Sequence, residues 1–324
     1  MITIKDLTGI SLIKLVKYRK MRNIIRGPKI TWVDIQDPTE EDIKYLKRKF
    51  NLHPLVLGEI IPPGHRPKVE RYKRYLFMIL YYPVYSKEKR ETRPRELDII
   101  VTKNVLITSH YKSIVPLKAL FDKCNLYPEA KRKYMRWSAG YLLFHLLSGL
   151  WKNCLTKLDR IDNKIEEIER KIFKGKEKEM VNEISLVKTD IINFWRIVEP
   201  QGEILESLSK EGTVFFGEKL SPYFSDVIGS YSQAFNSLRT YKETILALED
   251  TNQSLLYTKT NEIIRILTVF SVILLPLTLL ASIWGMNIPW LPFAESPAGF
   301  WIILVIMVGL MGFLIAYFRK KRWL

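Results

Sequence analysis

Asn261, Thr268, Ser271, Thr278 and Ser282 recur at intervals of three, four and seven residues near the C-terminus. Wound as a helix at ~100° per residue, they fall in one arc of roughly 100°. Ile264 and Leu275 complete the same spacing, while the opposite side is Val, Phe, Ile and Leu. Amides and hydroxyls accept and donate hydrogen bonds without carrying charge. They can hold the water shell of a cation, or they can pack a helix by bonding a backbone carbonyl one turn back. Asn261 at one end and Asn287 beyond the other favour a water-filled path over simple packing.

The segment that carries this stripe is apolar. Residues 266–284 read ILTVFSVILLPLTLLASIW and residues 300–318 read FWIILVIMVGLMGFLIAYF, neither with a charge. At ~1.5 Å per residue each is ~28 Å long, close to the hydrocarbon thickness of a bilayer. The first is expected to line a passage, loosened at Pro276, which frees the carbonyl of Val272. The second has small residues (Gly309, Gly312, Ala316) but no polar stripe, and suits a supporting, lipid-facing helix. Two helices cannot enclose a pore, so a channel requires several copies around an axis. The loop between the spans holds one acid, Glu295, and no base, whereas both flanks carry Lys and Arg. The positive-inside rule then places both termini in the cytoplasm of a multi-pass cell-membrane protein.

Composition narrows the function classes. Fifty-one basic against 34 acidic residues give a formal charge of +17, which suits nucleic acid or anionic lipid in a soluble protein. Here the basic tail Arg319-Lys320-Lys321-Arg322 is expected to meet lipid headgroups, with no nucleic-acid partner. Cys124 and Cys154 lack zinc-site spacing, and His53, His65, His110 and His145 are scattered as core or surface histidines. No nucleophile–base pair points to an enzyme. No phosphate-binding GxxxxGK[ST] points to an internal ATPase, and no acid inside the spans points to a proton relay. No organic cofactor is expected.

Upstream, residues 1–29 are basic and weakly apolar, without a secretory core, and read as a surface arm. From residue 30 the pattern is mixed α/β. Residues 30–35 read as a strand, and Asp37-Pro38-Thr39-Glu40 reads as a helix start with Asp37 as N-cap. Residues 62–67 form a loop, 76–85 and 97–109 are strand-rich with a turn at Lys103-Asn104, and 86–95 read as a solvated basic linker. Residues 139–173 and 177–208 read as an antiparallel helical pair broken at Gly175, with Ile161, Ile165, Ile168 and Ile172 on one face. A further helix, capped by Ser221, is expected from Pro222 to Trp284. Its regular seam suits the stalk of an oligomer. The expected segments are 1–130 α/β, 131–220 helical pair, 221–265 stalk, 266–284 first span, 285–299 external loop, 300–318 second span and 319–324 tail.

Lys259-Thr260-Asn261-Glu262, Pro276-Leu277-Thr278 and Gly285-Met286-Asn287, at these separations before the second span, resemble the CorA family of divalent-cation channels. Arg66-Pro67-Lys68-Val69-Glu70 through Phe77 resembles the family's soluble domain. Trp284 stands where many members have Tyr, and the external loop lacks their acidic stretch. The resemblance implies an α/β cytoplasmic domain, a long-helix stalk and two C-terminal transmembrane helices in a funnel-shaped homopentamer. It implies uptake of Mg²⁺, with Co²⁺ or Ni²⁺ as further cargo, and a selectivity filter of Gly285, Met286 and Asn287. Asn suits a hydrated ion, being a neutral oxygen acceptor whose ring does not repel itself. Ile264, Leu267 and Leu275 resemble the family's hydrophobic constrictions, and Asp226 its regulatory metal-binding acid. Mg²⁺ is then both cargo and regulator. Alternatives left open are a zinc transporter of the ZntB type and a non-conducting anchor with a basic cytoplasmic binding domain.

Overall fold

The computed structural model describes residues 22–286 and 297–323. The chain divides into two units. One comprises the residues up to Lys171 together with Asn182–Leu248, and the other Ile172–Val181 together with Glu249–Leu324.

The first unit is built on a six-stranded sheet in the order β1-β2-β6-β5-β4-β3. Its strands are β1 (Arg22–Arg26), β2 (Thr31–Gln36), β3 (Lys68–Arg71), β4 (Leu76–Ser86), β5 (Glu91–Val101) and β6 (Val105–His110). Among the described strands only β2 and β6 run parallel, with Asp34 beside Thr108 and Gln36 beside His110. β4 reads LFMILYYPVYS and buries both faces, as a central strand of aromatic and branched residues should. The helices α1 (Glu40–Phe50) and α2 (Pro54–Ile60) cover one face. There Leu46, Val56, Leu57 and Ile60 close a core over Val33, Ile35, Phe77, Ile79, Ile100 and Ile107. The helix that follows β6, α3 (Val115–Leu126), covers the other, where Phe121 meets the edge of Trp32 at 5.1 Å. Adjacent parallel strands therefore send their helices to opposite faces.

Several local readings change. Arg22–Arg26, expected in a surface arm, is an edge strand paired with β2; the residues before it lie outside those described. Thr39, not Asp37, caps α1, because its hydroxyl and Asp42 form a reciprocal capping box. Asp37 instead takes a left-handed turn (φ 58°), and its amide bonds the His110 carbonyl at 2.9 Å. The expected linker 86–95 is mostly strand. Charges at Glu91, Arg93 and Arg95 ride on a long β4–β5 hairpin paired from Leu76↔Val101 to Ser86↔Glu91.

After α4 (Pro128–Met135) come α5 (Ala139–Ile172), α6 (Glu177–Val198) and α7 (Gln201–Phe216). The expected second partner of the helical pair thus splits at Glu199-Pro200, where proline supplies no amide to the ladder. Ser221 is no cap either. A short 3-10 turn over Glu218–Leu220 precedes it, and Ser221 is already helical at φ −52°, ψ −49°. From there α8 (Ser221–Trp284) runs 64 residues, roughly 95 Å at 1.5 Å each. No Gly or Pro interrupts it between Gly229 and Pro276, and the helix continues through Pro276. The last element is α9 (Pro297–Lys320), whose final turn holds Arg319 and Lys320.

Candidate ion path and its entrance

In the second unit the C-terminal part of α8, and α9, are each long and apolar enough to cross a bilayer, and only 6% of each apolar window is buried. Side chains that a soluble protein hides stand open: Leu267 is 60% exposed, Leu275 68% and Val305 70%. Against water this surface would be strongly unfavourable, at ~25 cal/mol per Å². Against lipid or against further copies it is not.

The polar stripe lies on that open surface. Asn261, Thr268, Ser271, Thr278 and Ser282 are all exposed. Ser271, Thr278 and Ser282 line one shallow groove of about 530 Å³ together with Leu274, Leu275 and Leu279. Leu274 and Leu279 were not singled out in the sequence, although their three- and four-residue spacing from Ser271, Leu275 and Thr278 carried the signal. Thr268 and Thr278 donate their hydroxyl protons to the carbonyls of Ile264 and Leu274 at 2.8 and 2.9 Å. The donor is satisfied inside the helix, so what each hydroxyl turns outward is an oxygen lone pair. Oxygen lone pairs turned outward can accept hydrogen bonds from water. Asn261, Ile264, Leu267 and Thr268 continue the face toward the helix interior of the chain but do not line this groove.

The helix closes where the motif begins. Gly285 donates its amide to the Ala281 carbonyl at 2.9 Å, and Met286 to that of Ile283 at 3.2 Å. A Cβ on Gly285 would stand 3.2 Å from the Ala281 oxygen, so a larger residue would crowd this turn. Met286 is 54% exposed. Asn287 lies outside the described residues, as does the rest of the segment up to residue 296, expected from sequence to form the external loop.

At the other end of the stripe, a contact the sequence did not signal ties α8 to the turn before α6. Lys259 Nζ pairs with Glu177 Oε2 at 2.6 Å and lies 3.4 Å from the Gly175 carbonyl. Asn252 donates to the Glu177 carbonyl at 3.1 Å. The Lys259 ammonium, donating a hydrogen bond, holds the Glu177 carboxyl below its usual range. Lys259 stands two residues before Asn261, so this contact lies beside the start of the stripe.

Asp226, the expected regulatory acid, is exposed in the second turn of α8. Among the described residues no group of three His, Cys, Asp or Glu is placed to hold a metal. Any cation at Asp226 would therefore need ligands from elsewhere.

Comparison with known proteins now bears on this arrangement. A family model described as CorA-like Mg²⁺ transporter protein matches residues 28–320. A cobalt/magnesium transport protein, CorA of Thermotoga maritima, is 29% identical over 296 residues, covering 91% of this chain and 83% of the relative. The complete structure of the CorA magnesium transporter of Methanocaldococcus jannaschii superposes with a TM-score of 0.79 at 24% identity, covering 91% of this chain and 92% of that one. A zinc transport protein, ZntB of Pectobacterium atrosepticum, is a more distant likeness at 16% identity over 303 residues, covering 94% of this chain and 90% of the relative.

Proposed function

The chain belongs to the CorA-like Mg²⁺ transporter family, and on that premise we propose that five copies form a membrane channel through which the potential drives Mg²⁺ inward. As a divalent-cation transporter of the CorA type it is a membrane protein. The finer reading is that α8 of each copy turns its stripe to a central axis, with α9 outside and both termini in the cytoplasm. Two charges crossing gain about 4.6 kcal/mol per 100 mV, so no other energy source is required.

One observation carries this reading. Asn261, Thr268, Ser271, Thr278 and Ser282 lie in one arc on the exposed surface of an otherwise apolar helix. There Thr268 and Thr278, as helical hydroxyls commonly do, give their protons to carbonyls four residues back and turn lone pairs outward. An anchor in lipid has no use for such a face. Mg²⁺ holds its waters tightly, and outward acceptors let it pass without losing them. At the mouth, Gly285 and Met286 would supply carbonyls, and Asn287 an amide ring, to the incoming hydrated ion. Inside the bore, Ile264, Leu267 and Leu275 would form the apolar constrictions, which close by excluding water. Cytoplasmic Mg²⁺ at Asp226, completed by a neighbouring copy, would favour the closed state.

The test is flux into liposomes. Asn287→Ala is expected to abolish selective Mg²⁺ uptake while leaving assembly intact. Unchanged uptake would refute the filter. Asp226→Ala should weaken the inhibition of flux by internal Mg²⁺. The zinc reading is decided in the same vesicles: Zn²⁺ uptake unaffected by excess Mg²⁺ would favour it.

A further inference from the structure

His110 and Asp34 meet at the carboxyl ends of the two parallel strands, on the face covered by α3. This is the place where β2 and β6 send their helices to opposite sides, and where open α/β sheets leave a crevice for ligands. A pocket of about 250 Å³ lies there, lined by Asn23, Asp34, Gln36, His110, Asp122 and Asn125 among others. Asp34 and His110 are nearly sealed from solvent, at 7% and 3% exposure.

The hydrogen bonds fix what each atom offers. Trp32 Nε1 donates to Thr108 Oγ1 at 3.1 Å, and Thr108 passes its own proton to Asp34 Oδ1 at 2.6 Å. Asp34 Oδ1 is therefore an acceptor. His110 Nδ1 lies 3.0 Å from the Lys112 carbonyl, which can only accept, so Nδ1 bears the hydrogen. In the neutral ring Nε2 is then a bare lone pair. It is buried with no hydrogen-bond partner, yet it stands 3.4 Å from Asp34 Oδ1. Two acceptors face one another in a buried place, an arrangement that a cation between them would satisfy.

Geometry selects among the candidates. A water donating to both at ~2.8 Å would have to close its angle to ~75°, far below tetrahedral. A proton on Nε2 would point wide of Asp34, since the pair fails hydrogen-bond alignment at this distance. A metal ion ~2.1 Å from each atom subtends ~108°, the angle of a tetrahedral site. Imidazole nitrogen beside a carboxylate suits Zn²⁺ or Co²⁺, whereas Mg²⁺ asks for six oxygens. The bond from Nδ1–H to a backbone carbonyl is also how metal-binding histidines are commonly oriented.

We infer that Asp34 and His110 bind a borderline divalent cation, Zn²⁺ or Co²⁺, in the sheet domain, on residues that do not belong to the polar stripe. Asp122 is already paired with Lys118 at 2.7 Å. The remaining positions fall to water and to the amide oxygens of Asn23 and Gln36, which line the same pocket. With only two strong protein ligands the site exchanges its ion, as a sensor of transition metal would, and is not a structural plug. Nothing in this assignment depends on the channel reading.

The test is Co²⁺ titration of the full chain in detergent, read by visible absorption. Four-coordinate Co²⁺ with a nitrogen ligand absorbs strongly, while Co²⁺ held by six oxygens at a channel mouth absorbs weakly. The wild type should develop the strong bands, lose them to Zn²⁺ and keep them in excess Mg²⁺. His110→Asn, which retains a donor for the Lys112 carbonyl, and Asp34→Asn, which retains the Thr108 bond, should each weaken binding at least tenfold. Only weak bands in the wild type would overturn the site. So would strong bands that survive in both variants, or, if either variant fails to fold, in the one that does.

Discussion

The sheet of the first unit and the spans of the second use the same apolar residues in opposite ways. Phe77, Ile79, Ile35 and Ile60 are 0% exposed, whereas Leu275, Val305 and Phe313 are 67–70% exposed. Polar groups differ as well. In the sheet, Trp32, Thr108 and Asp34 satisfy one another across strands, 74 to 76 residues apart in the chain. In the spans, Thr268 and Thr278 satisfy themselves with carbonyls four residues back. The contrast in burial teaches which solvent each region was built for. The contrast in hydroxyl partners instead follows strand against helix, since Thr244 and Thr258, outside the spans, also bond carbonyls four residues back. Water forces apolar groups inward, while a bilayer lets them face outward and requires each backbone donor to be satisfied within its own helix.

The contrast is broken most sharply by emptying the sheet. Phe77→Ala removes a ring from a filled core and should cost about 3–5 kcal/mol, seen as a large fall in the melting temperature. Truncation of an equally large but exposed side chain, Phe313→Ala, should leave that transition unmoved. A comparable loss from both would mean the spans pack as a soluble core.

A charge tests the same contrast from the other side. Val308→Arg, on an exposed position of α9, should cost about 2.5–3.5 kcal/mol in insertion and deplete the membrane fraction. Leu126→Arg, on an exposed position of α3, should change stability by no more than about 0.5 kcal/mol. Equal recovery of the two variants in membranes would contradict the assignment of α9 as a span.

The smallest effect sharpens the account of the sheet. Asp98 faces the α1–α2 side of β5 with one oxygen buried and unpartnered. Burial, aided by Glu96 and Glu59, holds its carboxyl well above the usual value of 3.8. The folded protein thus keeps a proton that the unfolded chain has already lost. The associated stability is full below about pH 4 and drains away as pH rises toward the folded value. Asp98→Asn should therefore match the wild type in acid and melt higher at neutral pH. A gain that is the same at both pH values would reject this cause.

Legibility in the sequence followed how local each feature is. The two spans, the polar stripe and the helix end before Gly285 were readable, because hydropathy and the 3.6-residue period act over one or two turns. Asp37 was misread as a cap since its amide is claimed by His110, a residue from another strand. The charged run 86–95 was misread as a loop because strand pairing with β4, not composition, decides its state. The break at Pro200 was legible in principle, and the helical pattern on both sides of it masked it.

By itself, then, the chain determined its membrane spans, the acceptor-bearing face of the first and the long uninterrupted helix that carries it, since transfer energy and helical period are properties of neighbouring residues. Only the tertiary structure decided that Glu177 meets Lys259 across 82 residues and that His110 stands 3.4 Å from Asp34. Those encounters depend on strand order, register and loop closure, which bring together atoms whose separation in sequence carries no periodic signal.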